Sequence, residues 1–333
     1  MIIAGVRVDE EINFEEIDEK VKFINENKKY CEETIRELNT LIDLDYIKAS
    51  EFIEGNTLRE ISEIDFDENT KVMRASPPFI NDMPKEREER KAYLKNLRYD
   101  SDKNSLIIMK RGGDASLASD YKLYVCEVPK HLSALESALS QARYDRNIYL
   151  KTGVMPPVRT QIVQGINAKF FEKTEHKDEP GYGSYRRIVF QDGKWIVPNV
   201  DVSGASWKPI SCSAVPEEMD SLLNFYNNSN AHPILKAIIF KTRFIKIHPF
   251  RDGNGRTSRI LLNYMFVRYG YPTITITGKE KFAYFNALQK AITENNYTAL
   301  VKIITKHLNE RCDKYIQVIN EQKALMEEIE QTM

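Results

Sequence analysis

No run in this 333-residue sequence approaches the roughly 20 apolar residues that a membrane-crossing helix needs, and no segment repeats or falls to low complexity. An excess of one charge is missing as well. The 49 acidic residues stand against 48 basic ones, which argues against a bulk electrostatic partner such as nucleic acid. Cysteine is scarce: Cys31, Cys126, Cys212 and Cys312 have no paired spacing. That excludes a disulfide frame or a zinc site and suits reduced thiols. The opening Met1-Ile2-Ile3-Ala4-Gly5-Val6 is apolar but too short for a signal peptide, and acidic residues follow at once. These absences predict a cytoplasmic protein with no membrane or nucleic-acid partner, long enough to bury a large core as one or two domains.

What the sequence does have is one dense stretch, His248-Pro249-Phe250-Arg251-Asp252-Gly253-Asn254-Gly255-Arg256-Thr257-Ser258-Arg259, between two apolar helical runs at 232–247 and 257–269. It reads as a loop that opens a helix. Gly253 and Gly255 let a ligand approach the backbone, and the free N–H groups of a helix start suit an anion. Arg256 and Arg259, three residues apart, share a helix face and can reach the same phosphates. Asp252 is the carboxylate for a hard cation such as Mg2+, which usually bridges one carboxylate and substrate phosphates. His248 is the group that titrates near neutral pH, a natural general base.

The stretch resembles the Fic-family motif, His-Pro-Phe-x-[Asp/Glu]-Gly-Asn-Gly-Arg-x-x-Arg, at every specified position. The resemblance implies a protein adenylyltransferase that moves AMP from Mg2+-bound ATP to a hydroxyl side chain of a target protein. In it His248 is the base, Asp252 the metal ligand, Gly253, Asn254 and Gly255 the phosphate cradle, and Arg256 and Arg259 the phosphate-binding cations. The related Doc kinases carry Lys where this chain has Gly255, and phosphocholine-transferring relatives carry Ala at Gly253. Both departures favour nucleotidyl transfer here.

Upstream, residues 14–42 read as one long amphipathic helix whose apolar seam is interrupted only by Lys28, ending at an Asp43-Leu44-Asp45 break. A short helix over 46–54 follows, stopped by Gly55-Asn56. Ser50-x-x-x-Glu54-Gly55-Asn56 also resembles the Fic inhibitory motif. That resemblance implies an N-terminal inhibitory helix in the same chain, with Glu54 salt-bridged to Arg259 and the enzyme autoinhibited. Residues 59–150 carry less information. Loops are expected at 64–70 and 75–78, a charged helix at 84–98, short strands at 106–109 and 121–128 about a turn at 111–114, and a helix at 131–144 on which His131 is a surface or capping residue.

Residues 157–171 read as the first helix of the core. A hairpin over 184–197, turning at Asp192-Gly193, resembles the Fic flap, which docks a target segment by strand addition. A longer link over 199–212 departs from the family pattern. His232 receives no chemical role. Tyr284 and Phe285, on a helix over 279–292, stand where the family walls the adenine, though an aromatic pair on a helix is more often core. Ile292 stands where some relatives place an Asn against adenine, which implies modest base selection. A terminal helix over 309–333 either packs on the N-terminal helix or joins two copies as a homodimer.

The expected fold is mainly α, a helical core with a β-hairpin flap. Residues 1–60 hold the N-terminal helices, 61–150 a connecting elaboration, 151–305 the catalytic core and 306–333 the C-terminal helix. Other readings stay open: a hydrolase removing AMP with Glu54 activating water, a transferase of another nucleotide, or a non-catalytic interaction module.

Overall fold

A computed structural model describes residues 2–10, 13–53, 64–67, 72–75, 97–100, 105–108, 128–172, 176, 179–191, 194–196, 200–202, 205–277 and 280–332. The turns at 111–114 and 192–193, the helix expected over 84–96, Cys126, and Glu54, Gly55 and Asn56 lie outside the described residues.

A two-strand hairpin, β1 (Ile2–Ile3) and β2 (Val6–Arg7), opens the chain and is stitched to the C-terminal region. The Arg7 N–H donates to the Asn295 carbonyl, and the Tyr297 N–H donates to that of Arg7. Two helices follow, α1 (Glu15–Asn27) and α2 (Glu32–Ile53), separated by a 3-10 turn over Lys28–Tyr30. The expected helix over 14–42 is therefore two. It breaks where Lys28 interrupts the apolar seam, since a lysine there cannot join the buried stripe. No break falls at 43–45. Asp43 stays inside α2, where burial pushes its carboxyl up to about 7 and relieves the cost of a buried charge.

β3 (Ile64–Asp67) pairs antiparallel with β4 (Val72–Ala75), and β5 (Leu97–Asp100) with β6 (Ser105–Ile108). The loops expected at 64–70 and 75–78 are thus partly strand, because Ile64, Asp65, Phe66 and Asp67 alternate with the period of a strand. The charged helix expected through residue 98 has strand at its last two residues, Leu97 and Arg98. The strand expected at 106–109 is β6, one residue earlier, and among the described residues it pairs with β5, while residues 121–127 of the other expected strand lie outside the described residues.

The core is helical. In chain order it comprises α3 (Val128–Thr152), α4 (Thr160–Phe171), α5 (Val215–Asn228), α6 (Pro233–Ile247), α7 (Asn254–Tyr269), α8 (Lys281–Thr293) and α9 (Thr298–Thr332). The antiparallel hairpin β7 (Val189–Gln191) and β8 (Lys194–Ile196) interrupts it. α4 starts at Thr160 rather than 157. Pro156-Pro157 holds the lead-in extended, and Asn227 pins Val158 through its N–H and its carbonyl at 2.8 and 2.9 Å. α7 is the central helix, packed on α3 and α6, and nearly every residue on it is buried. Its far end is anchored by Arg268, which pairs with buried Asp145 at 3.0 Å, while the Tyr264 hydroxyl donates to the same carboxylate at 2.7 Å.

α9 begins at Thr298, well before the expected 309, and packs along α1. Lys20 pairs with Asp313 at 2.7 Å across that contact. At its free end Leu325, Met326 and Ile329 are exposed. Among the described residues no helix is long and apolar enough to cross a membrane, and Cys31, Cys212 and Cys312 are free thiols.

Candidate active site

α6 delivers the histidine. Apolar residues cover most of its surface, so the helix is buried along its length and its end is fixed. His248 is its C-cap in the left-handed conformation (φ 55°, ψ 61°), its N–H donating to the Phe244 carbonyl. A non-glycine residue held there is uncommon and needs surrounding support. Buried Arg186 supplies it. Its guanidinium donates to the carbonyls of His248 at 2.7 Å, Ile247 at 3.1 Å and Ile210 at 2.6 Å, and its own N–H donates to Pro249 at 2.8 Å. Phe250 is fully buried beside Tyr185 and Phe244 and anchors the loop from below. Nδ1 of His248 lies 3.3 Å from the Ile245 carbonyl, an acceptor, which favours the tautomer with the proton on Nδ1.

The loop then turns into α7. The Asn254 side chain accepts from the Phe250 N–H and donates to the Phe250 carbonyl, both at 2.9 Å. It is a staple of the loop, and what Asn254 offers an anion is its backbone at the helix start. Gly253 caps α7 in the left-handed region (φ 76°), and a Cβ there would meet the Asn167 amide at 2.9 Å. That buried Asn167, on α4, donates to the Asp252 carbonyl at 3.0 Å and accepts from the Gly183 N–H at 2.8 Å. It ties the core to both the motif loop and the lead-in of the hairpin. Asp252 points outward, its side chain 60% exposed. One oxygen accepts from the Gly253 N–H at 2.5 Å, and the other lies 3.6 Å from Arg256. Arg256 is buried with its guanidinium 4.8 Å over the Phe170 ring.

Arg259, one turn into α7, is buried and held by α2. Its Nε donates to the Ser50 hydroxyl at 2.9 Å and a terminal nitrogen to the Ser50 carbonyl at 3.0 Å. The structure therefore joins two motifs more than 200 residues apart. Ser50 is also 3.5 Å from Nε2 of His131. His131 is fully buried between Tyr46 and Phe170, not a surface or capping residue, because α3 crosses behind α2 and turns it inward.

His248, Gly255, Ser258, Arg259, Tyr284 and Phe285 line one cavity of about 550 Å³. Tyr284 is buried at its wall and Phe285 is 41% exposed at its mouth. Asn286 and Gln289 also line it, and Trp207, from the 199–212 link, lies at one side with its ring 6.3 Å from that of His248. Ile292 lines a different cavity, with Thr242, Arg243 and Tyr297, on the other side of α8. A smaller cavity of about 190 Å³ at the joint of α1, α2 and α3 contains no motif residue. Asn167, Trp207, Asn286 and Gln289 escaped the sequence reading because nothing in their local pattern marks them, and Arg186 appeared there only as part of a hairpin lead-in.

Comparison with known proteins assigns this region. Residues 157–266 match the model of the Fic/DOC family, so the chain carries a Fic domain. Protein adenylyltransferase Fic of Culex quinquefasciatus is 30% identical over 146 residues, 44% of this chain and 27% of that protein. The Drosophila melanogaster protein of the same name is 30% identical over 141 residues, 42% of this chain and 27% of its own. The matched segment thus spans about a quarter of the length of these relatives. Among solved structures, a Fic domain containing signaling protein from Bacteroides thetaiotaomicron has a TM-score of 0.52 at 20% identity, covering 93% of this chain and 96% of its own. Fic-1 of C. elegans has a TM-score of 0.53 at 18% identity, covering 91% and 69%. These likenesses establish the Fic fold.

Proposed function

We propose that this Fic domain is a protein adenylyltransferase, passing AMP from ATP to a Ser, Thr or Tyr hydroxyl of a protein, and that the chain holds itself inactive. The observation that carries the reading is the shared cavity: a histidine whose Nδ1 lies against the Ile245 carbonyl and a buried arginine line one space walled by Tyr284 and Phe285. The curated relatives are named for the same reaction.

In this mechanism Nε2 of His248 takes the proton of the target hydroxyl as its oxygen bonds to the α-phosphorus. The bond from that phosphorus to the bridging oxygen breaks, and pyrophosphate leaves. The backbone N–H groups of Asn254 and Gly255 at the start of α7 suit the phosphates, where a helix favours an anion, and Gly253, whose own N–H is taken by Asp252, lets them approach the backbone. Arg256 and Arg259 balance charge on the leaving group. Asp252 fits a magnesium ion, being an outward, 60% exposed carboxylate beside the start of α7. When bound, that ion would neutralise phosphate charge. Trp207 narrows the space around the imidazole and helps exclude bulk water. Catalysis is then positioning and charge stabilisation.

The target peptide adds as a strand along β7–β8, a sequence-tolerant mode. Exposed Ile188 and Phe190 on that hairpin offer it apolar contact. Autoinhibition is supported by the grip of Ser50 on Arg259. While α2 occupies that guanidinium, Arg259 is not available to a γ-phosphate, and the Glu54 carboxylate, four residues further on, would compete for the same group.

The reading is tested by incubating the Glu54→Gly chain with lysate and ATP labelled at either the α- or the γ-phosphate. Protein label from the α-position alone is expected. Label from the γ-position would replace AMP transfer with phosphoryl transfer.

A further inference from the structure

The joint of α1, α2 and α3 encloses the cavity of about 190 Å³ that contains no motif residue. Three cations line it: Lys28 from the 3-10 turn, and Arg143 and Arg146 from α3. None of them has an ion-pair partner among the described residues. The one hydrogen bond they make there runs from Lys28 to the Asn25 side chain at 3.3 Å. Arg146 is fixed over the end of α7, where a Cβ on Gly270 would collide with its guanidinium. A helix C-terminus draws a cation, but this one gives Arg146 no hydrogen bond. The crowding shows in the Lys28 ammonium. Burial first, then the field of Arg146, pull it below its usual range, with Glu32 opposing and Arg143 adding to the effect. A neutral donor joins the cations. Asn39, on α2, has its side-chain oxygen taken by the Tyr315 hydroxyl, which leaves its amide N–H groups unused beside the cavity. Asp43 is the one carboxyl in the lining, and burial pushes it up to about 7, so near neutral pH it is only partly ionised. Glu32 and Glu136 line a neighbouring cleft instead.

We propose that this cavity binds a small inorganic anion of the phosphate class, phosphate or pyrophosphate, between Lys28, Arg143 and Arg146. A lining rich in donors, with one weak acid, is matched by a ligand that carries several negative oxygens. Size agrees. Pockets for drug-sized ligands run to about 300–1,000 Å³, so this smaller space suits a free ion over a whole nucleotide. Arg143 and Arg146 are i and i+3 on α3 and share a face, and each guanidinium fork can take two oxygens. The Lys28 ammonium joins them from the turn between α1 and α2. The ion relieves the repulsion among the three cations and bridges α3 to the turn that leads into α2. It also stabilises the fold by mass action. The site shares no lining residue with the cavity at His248, so the inference does not rest on the adenylyl-transfer reading.

The experiment is calorimetry of inorganic phosphate and of pyrophosphate binding to the full chain at neutral pH. Constant ionic strength screens general surface attraction alike in every arm. The variants are Lys28→Gln, the pair Arg143→Gln with Arg146→Gln, and Arg259→Ala as the control at the nucleotide site. Lys28 is exposed, so Lys28→Gln leaves the packing intact should the arginine pair fold poorly. Saturable binding is expected in the unmodified chain and, unchanged, in Arg259→Ala. Lys28→Gln should weaken it about tenfold, and the arginine pair about 100-fold or more. Phosphate should raise the melting point of the unmodified chain and leave that of the arginine pair where it is. No saturation of the unmodified chain up to about 10 mM of either ion overturns the inference. So does equal affinity in Lys28→Gln and the unmodified chain, or loss of binding in Arg259→Ala, which would move the ion to the nucleotide site. AMP binding as tight as that of phosphate, and abolished by the arginine pair, would overturn the assignment to a free ion.

Discussion

At the residue scale the site depends on side chains that hold backbone in place. Arg186 is the clearest. Its three donated hydrogen bonds end on the carbonyls of Ile210, Ile247 and His248, and the last belongs to the left-handed residue proposed as the base. Arg186→Gln should cost about 2–4 kcal/mol of stability, because buried carbonyls are left unpaired. Thermal denaturation should show a melting point lower by several degrees. An unchanged melting point would mean that the loop holds itself. Base selection is also a matter of single residues. Ile292 lines another cavity, so Ile292→Asn should leave the nucleotide preference as it is, while Gln289 lines the cavity shared with His248 and Arg259. Gln289→Leu should reduce the preference for ATP over GTP, CTP and UTP in competition assays. The reverse pattern would restore the expectation of modest selection drawn from Ile292. The motif residues were legible because their spacing is contiguous and their chemistry converges on one loop. Asn167 and His131 were not, because each acquires its contacts from a partner on another element, and no local pattern marks such a partner.

At the scale of elements, the informative difference is α2. A pair of aspartates at 43 and 45 looks like a helix stop, and periodicity reads through Lys28 as a minor flaw. The chain does the opposite. It breaks at Lys28, whose ammonium cannot lie in the seam, and continues through Asp43, which can shed its charge. The pH dependence follows from the direction of that shift. The folded-state carboxyl is raised above its unfolded value, so between about 4 and about 7 the folded chain holds a proton that the unfolded chain has lost. Stability therefore falls as pH rises through that window. Asp43→Asn removes the loss and should raise stability at pH 8 by about 1–3 kcal/mol, with little change at pH 4. Denaturant titrations at the two pH values check this, and an equal effect at both would assign the gain to something other than ionisation. Hairpin β3–β4 fell partly where loops were expected, and β5 began within the expected charged helix while β6 was expected as strand, since four-residue strands are too short for alternation to stand out from the surrounding charge.

At the scale of the whole molecule, the N-terminal helices pack into the helical core. α1 lies on α9, α2 crosses α3, and Ser50 reaches Arg259 in the middle of the core, so the segment before residue 54 is built into the same body that carries the base. The sequence made both halves of that contact visible as separate motifs. Their junction needed the packing of α2 and α3 to bring them together. The proposed autoinhibition follows from it: an arginine held from within cannot also hold a γ-phosphate.

The most direct test of the account is AMP incorporation from α-labelled ATP, under matched Mg–ATP, by four chains: unmodified, Glu54→Gly, Glu54→Gly with His248→Ala, and Glu54→Gly with Arg259→Ala. The account predicts little label from the first, strong label from the second, and a fall of about 10²–10⁴-fold in the third, as expected when a general base is lost. The fourth should be nearly silent, since releasing an arginine helps only if the arginine is present. Label in the third chain equal to that in the second would contradict the assignment of His248 as the base and, with it, the reaction proposed for this site.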